Sequence, residues 1–160
     1  MRGETDRRMR QEDLAEQLSE LAAKLLEAHE HILEPAWEDF IRAYCATRFR
    51  TIDKSSNEDR PTDSSGCIEK HIAHWAAYKM AHPDFRVKVL SIMPEVDERC
   101  KRAVVWATTR SSALEDERVF TRESVTEMQF KYSRKRGNWT WSKSTCMRGH
   151  SDCHDMPEEP

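Results

Sequence analysis

The stretch from Phe85 to Gly149 constrains the fold most, because its apolar and polar residues alternate with a period of two over long runs, the spacing of strands. Phe85, Val87 and Val89 alternate with Arg86 and Lys88 before the run turns apolar through Ile92 and Met93. After a polar turn, PEVDERCKR, the run RAVVWATT from Arg102 is apolar on both faces, as a central strand requires. The charged SSALEDER reads as a loop. From Val119 to Tyr132, Phe120, Met128, Phe130 and Tyr132 share one face, opposite Val119, Val125, Glu127, Gln129 and Lys131. SRKRGN reads as a tight hairpin with Gly137 supplying positive φ. The last strand sets Trp139, Trp141 and Met147 against Thr140, Ser142 and Ser144. Four long strands are therefore expected.

Upstream the period changes to that of helices. Residues 1–10 read as a disordered arm. From Gln11, Leu14, Leu18, Leu21, Leu25 and Leu26 recur at steps of three and four, with Glu16, Glu20, Lys24 and Glu27 on the opposite face. Pro35 breaks that pattern and suits the first turn of a second helix, PAWEDFIRAYCATRF, with Trp37, Phe40, Ile41 and Tyr44 on one face. Arg50 to Gly66 is nearly devoid of apolar side chains and reads as a long loop, with a short strand at Phe49 to Ile52 and a position near the mouth of the domain. Cys67 to Ala81 returns to helical spacing and stops before His82-Pro83. The acidic tail 150–160 reads as frayed. Helices first and antiparallel strands afterwards give one α+β domain over 11–149, a curved antiparallel sheet wrapped over N-terminal helices.

A chain of 160 residues has room for one real core. Its 26 basic and 29 acidic residues nearly cancel to a net charge of −3, which gives no field that would steer it to nucleic acid or an anionic membrane. The first ten residues lack the apolar centre of a secretory signal, and no run is long enough to span a bilayer, so a soluble cytoplasmic protein is expected. Five cysteines, an odd number without a CxxC pair, read as free thiols.

The order helix, helix, polar loop, helix ending in AHPDFRVKVL, then long strands closing with RESVTEMQFKYSRKRGNWTWSKSTCMRG resembles the SnoaL-like branch of the NTF2-like superfamily, of fungal type. The resemblance is carried by HPDFRV at His82 to Val87, VDE at Val96 to Glu98, AVVW at Ala103 to Trp106 and MRG at Met147 to Gly149. It implies a cone-shaped α+β barrel with a pocket between sheet and helices, and a homodimer formed through the sheet. Relatives of this kind include isomerases, dehydratases and polyketide cyclases beside members without known chemistry, and fold does not settle function.

The resembling isomerases hold a base and two oxyanion donors in an apolar pocket, but the core strand here offers Ala103, Val105 and Ala107 or Val104, Trp106 and Thr108, with no carboxylate. No catalytic residue is carried over. The candidates left for acid–base work are His71 and His74 on the third helix and Asp53 in the polar loop. Pocket candidates are Trp37, Phe40, Tyr44, Trp75, Tyr78, Trp106, Arg122, Ser124 and Met128, each of which can equally be core or, for Arg122, the partner of a neighbouring acid. Cys146, His150, Cys153 and His154 sit on one short tail, which does not suit a structural zinc site. No metal is expected, and with no Gly-rich phosphate loop no cofactor. Two functions follow: an isomerase, cyclase or dehydratase acting on a small apolar or aromatic secondary metabolite, or a noncatalytic ligand-binding or dimerisation module of the same fold.

Overall fold

The computed structural model describes residues 2–54 and 62–148. The elements run α1(Arg2–Ala28), α2(Pro35–Tyr44), β1(Cys45–Asp53), β2(Thr62–Ser65), α3(Ile68–Ala81), β3(Arg86–Asp97), β4(Arg102–Glu115), β5(Arg118–Ser133) and β6(Asn138–Arg148). The strands form one open sheet in the order β2-β1-β6-β5-β4-β3, antiparallel except where β1 runs parallel to β6. Helices α1 and α3 lie on one face of it, which is the expected α+β architecture.

Several boundaries differ from the sequence reading, each for a local reason. The segment read as a disordered arm continues α1 back to Arg2, supported by an Arg8–Glu12 pair one turn apart and by Gln11 donating to the Val96 carbonyl at 3.2 Å. Helix α2 stops at Tyr44 rather than near Phe49. The Arg136 guanidinium, from the β5–β6 turn, takes the carbonyls of Arg42, Ala43 and Cys45 and the Thr47 hydroxyl, and Cys45 is already extended. Strand β1 therefore starts early, and the loop expected from Arg50 to Gly66 is a strand at each end, with Arg50↔Ser65 to Asp53↔Thr62 paired. Its centre, 55–61, lies outside the described residues, as does the tail beyond Arg148.

The long strands also reach further than their patterns. Strand β3 runs through Pro94 to Asp97, which an edge strand tolerates because a missing N–H can face away from the ladder. SSALE is strand rather than loop: Asp116 and Glu117, with φ of 50° and 65°, make a two-residue turn, and the Leu114 amide donates to the Asp84 carboxylate. Gly137, at φ 71°, closes the β5–β6 hairpin as its residue type suggests.

The core is built by Leu18 and Leu25 of α1, Ile41 of α2, Phe49 of β1, Val105 of β4, Met128 and Phe130 of β5 and Trp141 of β6, all essentially inaccessible. Each large apolar side chain so buried contributes about 1.5–3 kcal/mol. On β4 the helix-facing positions are Ala103, Val105 and Ala107, so alternation turns Trp106 to the opposite face of the sheet.

Candidate functional site

The series of core positions on α1, Leu18, Ala22 and Leu25, continues into His29, the first residue past the helix. Its Nδ1 lies 2.8 Å from the Leu25 carbonyl. A carbonyl only accepts, so Nδ1–H is the donor, and the bond satisfies one of the carbonyls that a helix leaves without a partner at its C-terminal end. The Nε2 of His29 then carries a lone pair. It faces the Nε2 of His71, from α3, at 2.8 Å, so His71 Nε2–H donates and His71 Nδ1 is left as an acceptor. No hydrogen bond among the described residues engages that Nδ1.

Both imidazoles are neutral at physiological pH. Desolvation holds His29 down at about 4, against the opposing pull of its bonds to the Leu25 and Leu26 carbonyls. Desolvation, helped by the proximity of His29 and His74, lowers His71 to about 2. The pair sits in a frame of aromatic rings. Phe49 meets the His71 ring at 4.7 Å and Trp141 at 4.7 Å, while Trp75 meets His29 at 5.0 Å. Tyr78 and Phe85 extend the frame, at 5.6 Å from Trp75 in each case. An uncharged acceptor held among apolar rings can orient an uncharged donor, and its low basicity makes it a poor remover of protons.

No family model matches this sequence, and no curated protein matches it. Solved structures do match it. A structure from Novosphingobium aromaticivorans, an NTF2-like protein with a cystatin-like fold, has a TM-score of 0.67 over 93% of this chain and 90% of that chain, at 12% identity. The fold is NTF2-like. A protein from Kribbella flavida has a TM-score of 0.66 with 14% identity, covering 82% of this chain and 87% of that one. The S. rosetta CaMKII hub matches at a TM-score of 0.61 and 12% identity, covering 84% of this chain and 96% of that one. These neighbours bear on the fold and not on the fungal subtype.

Within the NTF2-like fold the sequence-derived candidates separate. His71, Trp75 and Tyr78 come together around the histidine pair, and Met128 lies in the core beneath. His74 is exposed, one face of it against Trp75. Asp53 is half-buried on β1 in register with Cys146, too far along the strand to join the pair. Trp37, Phe40 and Tyr44 form a separate line of rings along α2, with Trp37 stacked on His31 at 5.0 Å. Trp106 is on the other face of the sheet, and Arg122 is exposed at the far end of β5. Arg110, not Arg122, pairs with Glu123.

His29 went unread in the sequence, although its spacing from Leu18, Ala22 and Leu25 is the signal that would have found it. Among the described residues, Glu27, Glu30 and His31 bring metal-type donors within 4.8 Å of one another at the end of α1. Cys45, Cys67 and Cys100 are free thiols, whereas His150, Cys153 and His154 lie outside the described residues. No helix among the described residues is long and apolar enough to cross a membrane.

Proposed function

We propose that this protein binds an uncharged ring-containing small molecule between α3 and the sheet, where His71 Nδ1 accepts a hydrogen bond from it. The observation that carries the reading is the His29–His71 hydrogen bond, which fixes both tautomers and leaves a half-buried acceptor without a partner among the described residues, beside Phe49, Trp75 and Trp141. Binding is favoured over isomerase, cyclase or dehydratase chemistry because burial among these rings disfavours the imidazolium that proton abstraction would leave on His71. Naphthalene and 2-naphthol, titrated against the protein by tryptophan fluorescence, test it. Both bind, and 2-naphthol binds about tenfold more tightly, the worth of one net hydrogen bond. His71→Phe removes that preference and keeps naphthalene binding. Failure of native protein to bind either compound sinks the reading.

A second reading, self-association through the outer face of the sheet, is supported by an apolar patch there. Met93 is 64% exposed and Leu90 38%, with Trp106, Val104 and Val125 half-buried beside them. Two structural neighbours, the CaMKII hub and a putative Ca/calmodulin-dependent kinase II association domain from Exiguobacterium sibiricum, fit that reading in kind. Sedimentation equilibrium tests it: a native dimer that Met93→Lys converts to monomer supports it, and a native monomer at high micromolar concentration ends it.

A further inference from the structure

Along four adjacent strands the helix-facing side of the sheet changes from apolar to polar in the same direction. On β4 it runs Val105, Ala107, Thr109, and on β5 Phe130, Met128, Thr126, Ser124. On β6 it passes from Trp141 to Ser144 and Cys146, and on β1 from Phe49 to Thr51 and Asp53. Register joins these into one patch, since Thr126 pairs with Cys146 and Ala107, Cys146 with Asp53, Ser144 with Met128 and Thr51, and Thr109 with Ser124. At an extended rise of about 3.4 Å per residue, the patch begins roughly 7–13 Å along the strands from the rings that surround His71.

Three of its side chains are as buried as the core: Thr109 is 8% exposed, Thr126 7% and Ser144 8%. Hydroxyls buried to that degree ordinarily have partners. Nearer the hairpin they do, where Thr140 donates to the Lys131 carbonyl and Ser142 to the Gln129 carbonyl. The hydroxyls of Thr109, Thr126 and Ser144 have none among the described residues. Each residue nonetheless keeps a small share of its surface accessible. Three hydroxyls without described partners thus lie side by side on the helix-facing side of the sheet, where its apolar half gives way to polar residues.

We infer that Thr109, Thr126 and Ser144 form a second contact point inside the domain, which takes an uncharged oxygen, hydroxyl or carbonyl, at the end of the ligand remote from His71. The inference rests on the interior-binding reading above. A hydroxyl both donates and accepts, so the patch serves either oxygen type. The ligand so described carries oxygen at both ends of an apolar ring body.

The test compares 2-naphthol with 2,6-dihydroxynaphthalene by tryptophan fluorescence. Native protein binds the diol about tenfold more tightly, the value of a second net hydrogen bond. The near-isosteric Thr126→Val with Ser144→Ala loses that increment and keeps the affinity for 2-naphthol, and Thr109→Val weakens the diol in the same direction. Equal affinity of native protein for the two compounds, or a preference that survives the double variant, overturns the inference and leaves the His71 reading standing. If naphthalene itself fails to bind, both fall. Thermal melting of the unliganded protein is an independent check: a clear rise in Tm for Thr126→Val would mean that the hydroxyl is shut in dry core, and that also overturns the inference.

Discussion

His29 and His31 are two residues apart at the end of α1 and live in opposite surroundings. His29 is buried, hydrogen-bonded through both ring nitrogens to a helix carbonyl and to His71, and enclosed by Trp75 and Trp141. His31 is on the surface between carboxylates, with Nδ1 2.8 Å from Glu34 and Nε2 3.7 Å from Glu30, its ring laid on Trp37. The turns that follow α1, where each amide reaches back three residues instead of four, swing successive side chains to different sides. One residue type thus serves two purposes. In the interior it is a neutral hydrogen-bonding unit whose charge is suppressed by desolvation, and outside it is one member of a partly exposed cluster with Glu30 and Glu34.

Breaking the inner surroundings has the largest effect. Trp141→Ala empties the space against which Phe49, His29 and His71 pack, and is expected to cost about 3–5 kcal/mol in denaturant unfolding. Acid is the next lever. The folded values of His29 and His71 are depressed to about 4 and about 2, so the unfolded chain binds protons first as pH drops below 6.5. Stability is complete above that pH and declines from there, through about 4 for His29 and on toward about 2 for His71. Two such groups imply a loss on the order of 3–4 kcal/mol between pH 7 and pH 5. The double variant His29→Leu, His71→Phe should flatten that part of the pH–stability profile, and an unchanged slope would mean that the pair is not buried as described. The outer cluster gives the smallest response: His31→Ala should cost below about 1 kcal/mol, because its contact with Glu34 competes with water. A cost above about 2 kcal/mol would erase the contrast between the two histidines.

What the sequence could tell divides along the same line between local and distant causes. The period-two runs of β3 to β6 and the amphipathic α1 and α3 were legible because each pattern is complete within its own segment. The end of α2 was not, since Arg136, whose guanidinium binds its last carbonyls, stands over ninety residues away in the chain. Strand β1 was mostly hidden for a related reason: CATRFRTID alternates poorly and becomes a strand by lying beside β6. At the candidate site His71 was readable as a helix histidine, but its partner was not, because a histidine just past a leucine-rich helix looks like a solvent-facing end until the core spacing is counted through it. The hydroxyls of Thr109, Thr126 and Ser144 look like ordinary strand residues until register sets them side by side.

The parallel pairing of β1 with β6, reinforced by Arg136, also sets an order of assembly. A chain emerging from the ribosome can coil its first two helices early, but the strand that follows them has its lengthwise partner among Trp141 to Cys146. Completion of the sheet therefore waits on closure of a very large loop, the kind of non-local pairing that slows folding, and one flank of β1 has no hydrogen bonds until β6 has been made.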